Sequence, residues 1–394
     1  MRTLLINLAA LLLLVACGQR ADGPSDAILF DATRDYPEKP LWLDEVADIT
    51  YVPLSSETDS ALFRGTLAHV SERTITIHDF PRGIFYLFDR SGRYLSSFNH
   101  KGQGPEDYNF LVTAFVDEAS GELFAIEKGR VQVYDLKGDY RRTLRLPGGA
   151  WVYEAADGGD GSILLVDNQE HAAALYSGMV DANAEAYEQP FVRISKEDGG
   201  LISYITVPKD FSVDLTATLQ TAGITMKATG PMHRLVSHRD GFLLTNQETD
   251  TIFLYAHDQL VPKMIHTPAV KGMEEKSFLN GYVEAGDYLF FEKVIVKAVE
   301  NRRPPVPSVY YLYDKRDGQF YEQAVSMRDF EGKRIDLTPQ IIRPSRDARL
   351  GCLLLTVDEL QTANADGKLS GELKRIVDEM PEDSNDLLML MRFK

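Results

Sequence analysis

Two cysteines in 394 residues, Cys17 and Cys352, are too few for a disulfide framework. Cys352 lies in the apolar run "GCLLLTV" and reads as a small buried hydrophobe rather than a reactive thiol. Positive charge is also scarce. Lys and Arg number 42 against 59 Asp and Glu, a net charge of −17 that repels phosphate backbones and argues against a nucleic-acid partner. The eight histidines are scattered, and although His233 and His238 are five apart, no Cys or carboxylate pattern completes a zinc site, so no metal is expected. A G-x-S-x-G elbow is missing, which removes sequence support for a hydrolase triad. "DGGDG", Asp157 to Gly161, lacks the distal Glu of a calcium loop. No cofactor is expected.

The N-terminus is informative. Arg2 supplies a positive charge, and Leu4 to Val15 form an apolar run interrupted by Asn7. Twelve such residues make ~18 Å of helix, short of the ~30 Å hydrocarbon core, so this reads as an export signal rather than a span. It ends in "LVAC", and Leu14-Val15-Ala16-Cys17 resembles the bacterial lipobox. The resemblance implies removal of residues 1–16 and lipidation of Cys17, which anchors the chain in a membrane. "GQRADGPSDA" then begins a flexible tether, taken as residues 17–40. Gly18 stands where lipoproteins retained at the inner membrane commonly carry Asp, so the outer membrane is favoured, in either leaflet.

From Trp42 onward, short alternating apolar runs are separated by Gly and Asp turns, the pattern of an antiparallel meander. The runs recur as units. "LFDRSGRYLSSF" from Leu87 is echoed by "VYDLKGDYRRTL" from Val133, 46 residues further on. Weaker copies start at Val192, Phe253 and Tyr311. Asp89, Asp135 and Asp314 open turns in which Gly92, Gly138 and Gly318 can take positive φ. Four strands per unit predict one all-β domain over 41–394, a β-propeller of six blades with seven as the alternative. "ITYVPL" from Ile49 and "LLMLMRF" from Leu387 are the expected clasp closing the ring. One short C-terminal helix is expected in "SGELKRIVDEM", with Leu373, Ile376, Val377 and Met380 on one face and Ser370 as N-cap.

"FNHKGQGPEDYNF", Phe98 to Phe110, looks like a phosphate loop, but strand-like alternation follows it instead of a helix. Gly102, Gly104, Pro105 and Tyr108 are therefore read as a structural corner between two blades. "FDRSGRYLSSFNHKGQGPEDY" resembles the signature of the six-bladed β-propeller lipoproteins of Gram-negative outer membranes, an NHL-like or TolB-like group, with an FD-x-x-G turn and a G-x-GP-x-x-Y corner. Asp107 stands where that pattern usually has Glu. The resemblance implies fold and location and no shared catalytic activity.

Two functional readings follow. The favoured one is a non-enzymatic binding or scaffold module for a protein, peptide or glycan, beside a nutrient-uptake system in its concrete form. Its recognition surface is expected in two irregular loops, 207–234 and 299–311. The alternative is a propeller enzyme of lyase, lactonase or glycosidase type acting at the central funnel. It predicts acids or histidines with perturbed pKa at one mouth of the channel.

Overall fold

The computed structural model describes residues 27–56, 61–127, 129–147, 150–167, 191–210, 217–221, 224–228, 234–246, 249–296 and 308–394. Cys17 and the leader lie outside the described residues. Three strands come first: β1 (Ile28–Asp31), β2 (Glu38–Trp42) and β3 (Ala47–Pro53). Blade 1 is β4 (Thr66–Val70), β5 (Thr74–Asp79), β6 (Ile84–Asp89) and β7 (Tyr94–Asn99). Blade 2 is β8 (Leu111–Asp117), β9 (Glu122–Glu127), β10 (Arg130–Asp135) and β11 (Tyr140–Arg145). Blade 3 is β12 (Val152–Asp157), β13 (Ser162–Asp167), β14 (Phe191–Ser195) and β15 (Leu201–Ile205).

A separate hairpin, β16 (Ala217–Thr221) and β17 (Ile224–Ala228), precedes blade 4. That blade holds β18 (Leu235–His238), β19 (Gly241–Leu244), β20 (Thr251–Ala256) and β21 (Gln259–Thr267). Blade 5 is β22 (Lys276–Ala285), β23 (Tyr288–Val296), β24 (Ser308–Asp314) and β25 (Gln319–Ser326). Blade 6 has three strands, β26 (Leu350–Leu355), β27 (Leu387–Phe393) and β3. The architecture is a six-bladed β-propeller.

The alternation in the sequence sets the packing. Sheets stand face to face around the ring, and each interface is a layer of side chains from two neighbouring blades. Phe85 and Leu87 of blade 1 meet Leu123 and Ala125 of blade 2, for example, and all four are buried. The repeated FD-x-x-G turns are alike in detail. Asp89 Oδ1 accepts from the amides of Ser91 and Arg93, and Asp135 Oδ1 from those of Lys137 and Asp139. Gly92 and Gly138 sit at φ of 86° and 96°, a region costly for any residue with a Cβ.

The ring closes as the two chain ends foretold: β27 pairs antiparallel with β3 from Leu387 opposite Pro53 to Phe393 opposite Ala47. The tether boundary needs correction. Among the described residues, strand structure is already present from Ile28, well before residue 41, because β1 adds a parallel fifth strand to β21 and β2 one to β25. Phe30, fully buried, is why this segment cannot float: its ring packs against Phe291, Tyr311 and Phe320.

Among the described residues four α-helices decorate the ring: α1 (Leu43–Val46), α2 (Pro339–Ile342), α3 (Val357–Ala365) and α4 (Gly371–Glu379). The helix read from the sequence is α4, with Leu373, Ile376 and Val377 buried; Ser370 takes the N-cap position without a side-chain bond. α3 was not read. Its signal is Thr356, whose Oγ1 accepts from the Glu359 amide.

Candidate functional site

Strands β4, β8, β12, β18 and β22 line the axis, each leading its blade. Each enters from one face of the disc and turns back at the other. The turns at the exit face are short, such as Ser71–Arg73, Arg239–Asp240 and Gly286–Asp287. The other long connections, including 206–234 and the α3–α4 segment between β26 and β27, leave and return at the entrance face, and 327–349 alone among the described ones crosses from it to the opposite face.

A cavity of about 930 Å³ opens on that entrance face. Its walls are the first residues of the inner strands (Thr66 to Ala68, Leu111 to Ala114, Glu154 to Ala156, Leu235) together with a segment running from Lys333 to Pro344. Bulges shape it. One extra residue interrupts the register in β4 at Ala68, in β8 at Val112 and in β12 at Tyr153, re-aiming side chains near the mouth. The aromatic rim is unusual for a soluble surface. Phe80 and Phe110 are 47% and 53% exposed and meet edge to face with centroids 5.7 Å apart.

The charged residues of the cavity divide into two groups. Lys333 Nζ is held by Glu359 at 2.5 Å and Arg334 Nη1 by Glu38 at 2.7 Å, so both cations are already paired. Glu154 is buried and structural: its Oε2 accepts from the amides of Arg234 and Leu235, fixing the start of β18 to β12. Asp336 and Asp386 behave differently. Burial raises both carboxyls above the ordinary range, and the charge of Glu292 raises Asp336 further. Glu292 is buried and receives a bond from Asn280 Nδ2 at 2.6 Å. Tyr310 Oη is raised by burial and by the same two carboxylates, so Asp336, Glu292 and Tyr310 form one coupled group at the blade 5 wall. His78 lines the cavity with its ring centroid 4.7 Å from that of Phe85. Burial lowers its pKa to about 4, leaving it neutral at pH 7.

The four corner residues sit beside this mouth and are used internally. Gly102 N donates to Tyr108 O, and Tyr108 N to His100 O. Tyr108 Oη donates to Gly83 O at 2.6 Å, tying the corner to blade 1. Pro105 O accepts from Gln132 Nε2, tying it to blade 2. Gly104 N donates to Asp107 Oδ2, and a Cβ on Gly102 would stand 2.1 Å from that same oxygen. The carboxylate of Asp107 therefore serves the turn directly.

Of the two loops expected to recognise a partner, residues 211–216, 222–223, 229–233 and 299–307 lie outside the described residues. Tyr310 of the second loop and Leu235, the residue after the first, both line the cavity. Sequence reasoning missed the acids of the wall, because Asp336 and Glu292 become neighbours only when blade 5 folds. Among the described residues, no three His, Cys, Asp or Glu side chains converge as a metal site requires, and no helix is long and apolar enough to cross a membrane.

An axial cavity ringed by six sheets defines the class of the protein, a six-bladed β-propeller. Residues 35–392 match the family described as a domain of unknown function, DUF4934, and the chain belongs to it. No curated protein matches it. Among solved structures, a Bacteroides fragilis protein whose name records only an expectation of export is 17% identical with a TM-score of 0.59, covering 93% of this chain and 99% of that one. That likeness establishes the fold. A member of the DUF4221 family from Bacteroides vulgatus (TM-score 0.39, 10% identity, 89% and 97% covered) and virginiamycin B lyase from Staphylococcus aureus (0.36, 11%, 72% and 94%) are too distant to carry an argument.

Proposed function

We propose that this is an exported propeller, held at the outer membrane by lipid on Cys17, that binds a partner at the mouth of its axial cavity without chemically changing it. A nutrient-uptake system is the setting proposed for it. One observation carries the binding reading: the exposed Phe80–Phe110 pair stands at the rim of a 930 Å³ cavity on the face where most of the long connections gather. Aromatic surface of this kind costs solubility unless it is covered in use. The "LVAC" ending of the leader supports the anchor.

The experiment combines two variants. Cys17→Ser is expected to move the protein from the membrane to the soluble fraction and to abolish metabolic labelling by palmitate. Phe80→Ala/Phe110→Ala is expected to leave the melting temperature within a few degrees while weakening capture from arrayed peptides and glycans at least tenfold. Undiminished capture would remove the mouth as the binding site.

The coupled Asp336–Glu292–Tyr310 group favours a second reading, an enzyme acting in the funnel. A carboxyl whose pKa is raised by burial and by a neighbouring acid suits general acid–base work. Turnover of any arrayed compound, lost in Asp336→Asn, would establish it over simple binding.

A further inference from the structure

The exit face has a cavity of its own. It holds about 400 Å³ and lies between the first turns of blades 3 and 4, at Gly158 and at His238 to Gly241, and the chain that crosses the channel to enter β26. Arg239, Arg346 and Arg349 line it. In a chain of net charge −17, three guanidinium groups around one small cavity run against the general balance. Like charges held together raise the energy of the fold unless negative charge lies between them.

The neighbouring carboxylates supply only part of that charge. Glu284 is shared, its Oε2 2.7 Å from Arg239 Nη2 and its Oε1 2.9 Å from Lys315 Nζ. Asp347 is shared as well, with Oδ2 2.9 Å from Arg392 Nη1 and Oδ1 3.6 Å from Arg349 Nε. Arg346 forms no ion pair or hydrogen bond with any described residue. Glu284 and Asp347 thus answer Arg239, Lys315, Arg349 and Arg392 between them, and nothing answers Arg346. The other acids of this face are engaged elsewhere, Asp160 with Arg193 and Asp287 with Arg316, while the exposed Asp240 lines the adjoining groove and not this cavity. His238 adds no charge, because its Nδ1 accepts from the Asp240 amide and burial holds its pKa below the ordinary value.

The placement of Arg346 depends on the fold around it. Its guanidinium lies against Gly159, where any Cβ would overlap it. The turn that carries it is pinned from within, the Asp347 amide donating to Ser345 Oγ and the Arg349 amide to Asp347 Oδ1, both at 3.0 Å. A guanidinium offers its N–H donors as a flat fork. One carboxylate satisfies one fork, whereas the oxygens of a phosphate can take bonds from several.

We propose that the exit-face cavity binds a phosphate monoester, with Arg346 as its principal ligand and Arg239 and Arg349 on its other oxygens. The site is separate from the mouth that carries Phe80 and Phe110 and does not depend on it. Its volume leaves room beside the phosphate for a group the size of glycerol or a sugar. The chemistry is the same for a free ester and for a lipid headgroup, and the test separates the two sources.

The test uses the full-length Cys17→Ser chain, which carries no lipid of its own, and titrates it calorimetrically with inorganic phosphate and glycerol 3-phosphate at constant ionic strength. Saturable binding at one site per chain is expected. Arg346→Ala should weaken it at least tenfold and Arg349→Ala at least threefold. Arg346→Lys keeps the charge without the fork and should fall between wild type and Arg346→Ala. Lys137→Ala removes an exposed cation of blade 2 on the same face and should change binding less than twofold, and Phe80→Ala/Phe110→Ala should leave it unaltered. Because Arg346 bonds to nothing in the fold, its loss should not move the melting temperature without phosphate, whereas phosphate should raise that of wild type alone.

Flotation with phosphatidylcholine vesicles, with and without phosphatidic acid, assigns the source. Association that requires phosphatidic acid and is lost in Arg346→Ala places the ester on a lipid; binding of the soluble ester without flotation makes it a free solute. No saturable binding in either form would overturn the proposal. So would binding that Arg346→Ala weakens no more than Lys137→Ala does, since that is diffuse attraction to the face. Capture at the entrance mouth, lost in Phe80→Ala/Phe110→Ala, would in either case leave the binding reading standing.

Discussion

Replacing Lys196 with alanine is expected to cost about 3–5 kcal/mol of folding stability at pH 7, among the largest effects of any single substitution in the chain. Lys196 Nζ bridges Asp117 at 2.6 Å and Asp157 at 2.7 Å, joining the turn after β8 in blade 2 to the one after β12 in blade 3. Its side chain is 10% exposed and lies over the rings of Phe115 and Phe124. Truncation would leave two largely buried carboxylates facing each other without their cation, which is why the cost exceeds that of a surface ion pair.

The pH dependence follows from Asp117. Burial pushes its pKa up, but the bond and charge of Lys196 outweigh burial, and the carboxyl is held below its ordinary value. A depressed folded-state pKa contributes stability above the unfolded value, near pH 4, and that stability is lost as pH falls through the folded value. The deficit of Lys196→Ala should therefore be full at pH 7 and shrink below pH 4, when the acids can be neutralised. Urea unfolding of wild type and variant at pH 7 and pH 3.5 measures this, and a pH-independent deficit would show that the methylene stem matters more than the charge. The triple change Lys196→Met, Asp117→Asn, Asp157→Asn should recover much of the loss at pH 7, since a buried ion pair often trades evenly with neutral packing.

The ring was legible in the sequence for a local reason. An FD-x-x-G turn needs only its own few residues: an Asp side chain to accept two amides, and a glycine at positive φ. Asp89, Asp135 and Asp314 therefore announce blades wherever they occur. The clasp was legible because strands as apolar as "LLMLMRF" cannot stay solvated. The girdle was not. "ILFD" is four residues long, lies between Ala27 and Ala32, and becomes a strand only because β21 offers a finished edge for it to join. The defect in blade 6 was hidden for the opposite reason. "IDLTPQII" alternates well enough for a strand, and it is Pro339 at the start of α2 that diverts it.

The site was less legible still. Its wall draws on residues from Gly65 to Asp386, and none of them carries a local signal. Asp336 is one acid among 59; only its position between a buried Glu292 and the cavity singles it out. What the sequence did convey is the loop pattern, since long connections interrupt the blade rhythm, and their common exit on one face is a topological consequence of strands that all enter from the same side.

Removing Asp383–Lys394 is expected to abolish the folded state altogether. Among the described residues, β27 is the only strand joined to β26 and the only one joined to β3, so its loss separates the two ends of the ring. Leu387, Leu388, Met389 and Met391 are completely buried, and Leu390 and Phe393 nearly so. At about 1.5–3 kcal/mol for each buried side chain, these six supply roughly 9–18 kcal/mol, as much as the whole stability of a typical domain. The layers on either side depend on them: Leu388 and Leu390 pack with Ile75 and Phe88 of blade 1, and Met389 and Met391 with the large core shared by blades 4 to 6. The truncated chain should lose its near-ultraviolet circular dichroism and its cooperative melt. Adding a synthetic peptide of residues 383–394 should restore both in a saturable way, because Asn385 brings the bonds that dock the strand, from Nδ2 to Ser55 O and Ala61 O and from Phe63 N to Oδ1. A truncated protein that still melts cooperatively without the peptide would mean that five blades hold their curvature unaided, and that the clasp seals a ring it does not build.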